Sequence, residues 1–156
     1  MSACVFCEIA AQGYTDTELT VFEDEHVFAR ISLSQKPGNH GHVLVIPKKH
    51  LPNIYELPRE LDAPLMSALR LIATAVKKAF LADGVHIRQN NEAAAGQDVF
   101  HLHFHVISRY EGDEFETQKY ERLELGVRKA LAEKLKRVMK NERVGRSSSP
   151  GHSSCL

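Results

Sequence analysis

Residues 100–107 read FHLHFHVI. The strict alternation predicts a β-strand with Phe100, Leu102, Phe104 and Val106 on one face and His101, His103 and His105 on the other. One face is core and the other carries chemistry, because three of the nine histidines in the chain fall there at perfect spacing. A strand advances about 3.3 Å per residue, so the outer two imidazoles leave the backbone roughly 13 Å apart. That is too far for all three to meet on one ion with bonds of about 2.0 Å, although adjacent pairs could chelate. The geometry therefore implies divided labour along one groove. A neutral imidazole is a competent nucleophile near pH 7 when a hydrogen bond at its other ring nitrogen fixes the tautomer. His103, flanked on both sides, is the candidate nucleophile.

Immediately upstream the chain reads NNEAAAGQDV over 90–99. Small residues and Gly96 permit close backbone approach, and the amides of Asn90, Asn91 and Gln97 supply neutral donors. Alone this would be a polar turn; beside the histidines it suits a phosphate.

Working outward, β-like runs at 18–22, 27–31, 43–46 and 86–89 join 100–108 to give five strands. Between the third and fourth, Leu61, Leu65, Leu69, Ile72, Val76 and Phe80 recur at helical spacing, with Asp62 as the expected N-terminal cap and Gly84 as the expected C-terminal one. A second amphipathic pattern runs from about Tyr120 through Leu123, Val127, Leu131 and Val138, rich in Lys and Arg near its end. Strands close in sequence with one long intervening helix imply an antiparallel α+β domain rather than a doubly wound parallel sheet. After Asn141 the composition turns to Arg, Ser, Gly and Pro, so 1–141 is expected to be one domain and 142–156 a disordered tail.

A chain of 156 residues has room for one core. Its 20 basic and 20 acidic residues leave no polyanion footprint, which argues against bulk nucleic-acid binding while allowing a small anionic ligand. The opening MSACVFCEIA does not read as a signal peptide, and no apolar stretch reaches membrane-spanning length, so a soluble cytoplasmic protein is expected. Cys4 and Cys7 have the spacing of half a tetrahedral zinc site, whose other two ligands must come from elsewhere. A pair of plain buried cysteines is the competing reading, and redox chemistry is disfavoured because no βαβ pattern surrounds them.

The blocks GQDVFHLHFHVI at 96–107 and GHVLVIPKKH at 41–50, with CVFCEI at the N-terminus, resemble the histidine triad (HIT) family. The resemblance runs from the first cysteine to Arg109. It implies a five-stranded antiparallel α+β fold, a homodimer joined into one continuous sheet, and two-step nucleotidyl transfer. His103 would attack the α-phosphorus and form a nucleotidyl-histidine that water hydrolyses. By the same resemblance His105 and His42 lie against the phosphate, Gln97 contacts the α-phosphate or the bridging atom, and Asn90 is a phosphate-side amide. In zinc-containing members the ligand set corresponds to Cys4, Cys7, His50 and His101, a closed structural Zn2+ site that would hold the N-terminus against the histidine strand. No catalytic metal is then required, since the chemistry is mostly positioning and charge compensation.

The expected activity is hydrolysis of nucleotide conjugates, either dinucleoside polyphosphates or nucleoside phosphoramidates. The alternatives are a nucleotidyltransferase or phosphorylase, and a non-catalytic nucleotide-binding zinc module, against which His103 and Gln97 speak. The sequence also departs from the family. The aspartate that many relatives direct at the ribose falls on Ser34, or on Ser32 if two extra residues lie in the loop, so bidentate ribose capture is not expected. Asp98 stands where some relatives carry a hydroxyl, and Ser108 replaces a proline. Phe6, Ile9 and Ile31 suit either an apolar base pocket or ordinary core packing.

Overall fold

The apolar run VLVIP forms a strand paired on both sides, and the sheet grows outward from it. The computed structural model describes residues 4–11 and 17–147. In chain order the elements are α1 (Val5–Ala11), β1 (Thr20–Glu23), β2 (Val27–Ile31), β3 (Ser34–Gln35), β4 (Val43–Pro47), α2 (Asp62–Ala79), β5 (Gly84–Gln89), β6 (Phe104–Arg109), β7 (Glu121–Arg122) and α3 (Leu125–Ser147). The main sheet has five strands in the order β1-β2-β4-β6-β5, every pairing antiparallel. This is the expected α+β architecture.

Alternation along the strands sorts the side chains into two layers. Val27, Ala29, Ile31, Val43, Val45, Leu102 and Val106 pack against α2 and α3 in the larger core. Helix α2 brings Leu65, Leu69, Ile72 and Val76 to it at the predicted spacing, and α3 brings Ala132, Leu135 and Met139. On the opposite face Phe28 and Ile46 meet Phe6 of α1 in a smaller cluster. Strand β2 is consequently buried along its whole length.

Several expectations are corrected. Strand β6 begins at Phe104, so the alternation does not extend to Phe100, which is 54% exposed. Pairing between β4 and β6 stops at Val45 and Phe104, and the preceding residues bond elsewhere: the Leu102 amide donates to the Leu51 carbonyl at 2.6 Å. Asp62 is the first helical residue after a 3-10 turn (Arg59–Leu61), and Leu61 occupies the cap position without a side-chain bond. The left-handed residue closing α2 is Leu81, with φ of 53°, while Gly84 opens β5. The Ala82 amide bonds back to the Lys77 carbonyl at 3.0 Å, satisfying the helix end three residues before the expected glycine. Helix α3 starts at Leu125 rather than near Tyr120, because residues 121–122 form a two-stranded ribbon with β3. It continues to Ser147, past the expected boundary at Asn141; the rest of the expected tail, 148–156, lies outside the described residues. Among the described residues no helix is long and apolar enough to cross a membrane.

Gly41, with φ of 105°, is a required glycine: a Cβ there would run into the Phe80 ring at the end of α2.

Candidate functional site

At one corner of the sheet, Cys4 and Cys7 of the first turn meet His50 from the segment after β4 and His101 from the segment before β6. Their ligand atoms all lie within 4.8 Å of one another. The Nδ1 of His101 is 3.3 Å from the Cys4 sulfur, 3.5 Å from the Cys7 sulfur and 3.3 Å from the His50 Nδ1, and the last is 3.2 Å from the Cys7 sulfur. Bonds of about 2.0 Å to nitrogen and 2.3 Å to sulfur put tetrahedral ligands roughly 3.3–3.7 Å apart, close to these four separations, so the donor set suits zinc. Fully buried His101 donates its Nε2 hydrogen to the Pro47 carbonyl at 2.8 Å, which turns a bare Nδ1 toward the cluster. Burial, and then the neighbouring Cys4, push the Cys7 thiol up, a charge conflict that a divalent cation resolves.

His42, His103 and His105 line a cleft of about 550 Å³ on the α1 face of the sheet. The Nδ1 of His103 donates to the His101 carbonyl at 2.7 Å, leaving the lone pair on Nε2. A second chain fixes two more rings. The Nδ1 of His42 donates to the Ser34 carbonyl at 3.1 Å, so its Nε2 accepts from His105 Nδ1 at 2.9 Å, and His105 is left with a bare Nε2. The His42 backbone is clamped by fully buried Gln35, whose amide oxygen accepts from the Gly41 and His42 amides at 2.9 and 2.7 Å. Phe6 turns against the His101 and His103 rings at centroid distances of 5.6 and 5.3 Å, bridging the two sites.

Burial dominates the titration of the cleft histidines. It pushes His42 down to about 4 and, with help from His42 and His103, His105 down to about 3. His103 is lowered for the same leading reason, partly offset by its bond to the His101 carbonyl. All three are neutral near pH 7, so fixed positive charge in the cleft comes from Arg30, Arg88 and Arg128.

Residues 15–112 match the HIT domain family. The chain belongs to that family. Over 113 residues it is 43% identical to the Protein hit of Bacillus subtilis, an alignment covering 72% of this chain and 75% of that one. It is 41% identical over 110 residues to an Arabidopsis thaliana adenylylsulfatase, covering 70% of this chain and 54% of the plant protein. Among solved structures, a zinc-bound histidine triad family protein from Mycobacterium smegmatis superposes with a TM-score of 0.76 at 29% identity, covering 92% of this chain and 97% of the other.

Within this HIT fold the residues singled out from sequence fall into three groups. Cys4, Cys7, His50 and His101 come together in the corner. His103, His105, His42, Ser34, Phe6 and Ile9 line the cleft, as do Ser32 and Ile31; Phe6 also belongs to the smaller core, so both sequence readings of it apply. Gln97 and Asn90 do not line the cleft. The Gln97 amide donates to the Pro52 and Val99 carbonyls at 2.6 and 3.0 Å and accepts from the Glu92 amide at 2.6 Å, while Asn90 donates to the Gly96 carbonyl at 3.0 Å. Both brace the loop that carries Asp98, which stays on the cleft wall.

Arg30, Arg88, Arg128 and Tyr120 escaped the sequence reading. Two had a signal: Arg30 within VFARI and Arg88 within HIRQ are cations inside otherwise strand-like runs, where a buried charge wants a reason.

Proposed function

We propose that this HIT protein hydrolyses nucleotide conjugates through a nucleotidyl-histidine on His103, with dinucleoside polyphosphates and nucleoside phosphoramidates as the substrate classes. The observation that carries the reading is the bond from His103 Nδ1 to the His101 carbonyl, which leaves the Nε2 lone pair available for phosphorus. In the first step Nε2 forms a bond to the α-phosphorus as the bond to the leaving group breaks, and the leaving group takes up a proton. Water then attacks the same phosphorus, the P–N bond breaks, and neutral imidazole returns. His105 and His42 present a shared, tautomer-fixed pair to the phosphate. Ser34 and the apolar side chains of Phe6 and Ile9 receive the nucleoside. Gln97 and Asn90 act through the loop they brace.

Cys4, Cys7, His50 and His101 would hold a structural zinc ion; bound there, it ties α1 to the segment carrying His103 and takes no part in the bond changes. The zinc-bound mycobacterial structure and the ligand spacing support this reading. We further propose a cytoplasmic homodimer in which β5, at the sheet edge with Ile87 47% exposed, pairs with its counterpart.

The test is incubation with adenosine phosphoramidate, adenylyl sulfate and diadenosine polyphosphates, with and without inorganic phosphate, followed by product identification. AMP release with a trappable adduct that disappears in His103→Ala is the expected result. Near-normal turnover by that variant would overturn the mechanism, and phosphate-dependent formation of ADP would assign a phosphorylase instead.

A further inference from the structure

The strand register places Arg88 at a particular point of the cleft. In the antiparallel pairings, Arg30 lies opposite Leu44, Leu44 opposite His105, and His105 opposite Arg88. Residues directly opposite in such a sheet point to the same face, so these four side chains form one row across β2, β4, β6 and β5. Strands are spaced about 4.8 Å apart, which puts the base of Arg88 one strand beyond His105.

An arginine stands at each end of the row, and the two differ in setting: Arg30 on β2 is buried and has a partner, whereas the Arg88 Nε on β5 has none. Between them, on the β2 and β4 side, the cleft is walled by Phe6, Ile9 and Leu44, packed with Phe28 and Ile46, and by exposed Val5. That side suits a flat apolar base. On the β5 side stands Arg88, and among the described residues it makes no ion pair. Its Nε is buried without a hydrogen-bond partner. A buried guanidinium donor left unpaired is costly, and here it lines the space where a ligand sits. Among the described residues the cleft's sole carboxylate is Asp98, itself exposed.

With the base on the apolar wall and phosphorus at His103 and His105, whatever lies on the far side of phosphorus reaches Arg88. A phosphoramidate presents a neutral amine there; a phosphate chain or sulfate presents oxygens able to take a planar pair of N–H donors. We propose that Arg88 is a specificity residue that binds a second anionic group on the leaving-group side, so that the protein favours conjugates whose leaving group is itself an anion. This rests on the assignment of His103 as the nucleophile for its statement about turnover, while its statement about binding stands without it. The neutrality of His42 and His105 supports it, because a guanidinium supplies the charge these rings do not.

The test compares AMP with α,β-methylene-ADP by calorimetry, and adenosine phosphoramidate with diadenosine triphosphate by turnover, in wild type, Arg88→Gln and Arg88→Lys. Wild type is expected to bind the methylene diphosphate about tenfold or more tightly than AMP. In Arg88→Gln that ratio falls to near one while AMP affinity changes less than about threefold, and Arg88→Lys retains part of it. On turnover, Arg88→Gln loses about 100-fold in kcat/KM on the triphosphate and less than about threefold on the phosphoramidate. An unchanged binding ratio in Arg88→Gln, or equal losses on both ligands with an unaltered melting temperature, would overturn the proposal. Persistent turnover in His103→Ala would sink the nucleophile instead, leaving the binding ratio to decide Arg88.

Discussion

His101 and His103 are two residues apart, yet they serve regions built on opposite plans. Around His101 four donor atoms point inward at one spot, each within 4.8 Å of the others, and the site is closed. Around His103 the nitrogens are spread along a row, each pinned by a bond behind it and bare in front. The His101 main chain joins the two, because its carbonyl accepts from His103 while its ring faces the cysteines. Convergence makes a good cage and a poor catalyst; dispersion does the reverse. Phe6, against both rings, is the side chain through which disorder in the corner would reach the cleft.

The two regions can be broken separately. His103→Ala is expected to cut turnover by about 10⁴-fold or more, with one zinc per chain retained and the melting temperature nearly unchanged, as single-turnover assays with metal analysis would read. Loss of zinc from that variant would show that the regions are not separable. Cys4→Ala should abolish stoichiometric zinc and lower the melting temperature by about 10 °C, equivalent to roughly 3 kcal/mol, with turnover reduced by only about 10- to 100-fold. A variant as inactive as His103→Ala would mean that the corner does more than hold the chain.

Acid sharpens the contrast further. His42 and His105 have folded-state values of about 4 and 3, below the ordinary 6.5, so between those limits the folded protein binds fewer protons than the unfolded chain. Their contribution is complete above about pH 6.5 and drains away as the pH falls toward 4, by up to roughly 3 kcal/mol for one such ring. Measured in the zinc-free Cys4→Ala protein, where loss of metal cannot contribute, the melting temperature should fall from pH 6.5 to 4, and His105→Gln should flatten the slope. An equal slope in both would remove burial of these rings as the cause. The smallest effect is a control at an exposed residue that belongs to neither region. Leu81→Gly relieves a left-handed leucine that is 84% exposed, and should raise stability by about 1 kcal/mol without altering zinc content or turnover.

Legibility in the sequence followed the same division. The corner was readable because its ligands sit in short fixed-spacing blocks, C-x-x-C, P-K-x-H and the triad, and family resemblance joined them. Strands β2 and β4 were readable to within a residue from apolar runs bounded by turn residues. Phe100 misled because periodicity cannot see where a partner strand ends, and here pairing stops at Phe104. Ribbon β3/β7 was invisible because two-residue strands carry no period, and its two segments are far apart in sequence. Arg88 escaped because its meaning lies in cross-strand register with His105, a relation that local sequence does not encode. Gln97 was legible as a loop residue beside the triad, but not its partners: its amide bonds the backbone of its own loop and the distant Pro52 carbonyl, a contact that local sequence does not encode.

The contact between Gly41 and Phe80 sets how the protein opens. With no side chain at Gly41, the end of α2 lies directly on the backbone that precedes His42, and Gln35 grips the same two amides from the other side. That stretch cannot lift unless the helix end lifts with it. The amides of Gly41 and His42 should therefore exchange with solvent at the rate of the helix core rather than at the faster rate of the surrounding loop, which makes this wall of the cleft part of the last unit to unfold.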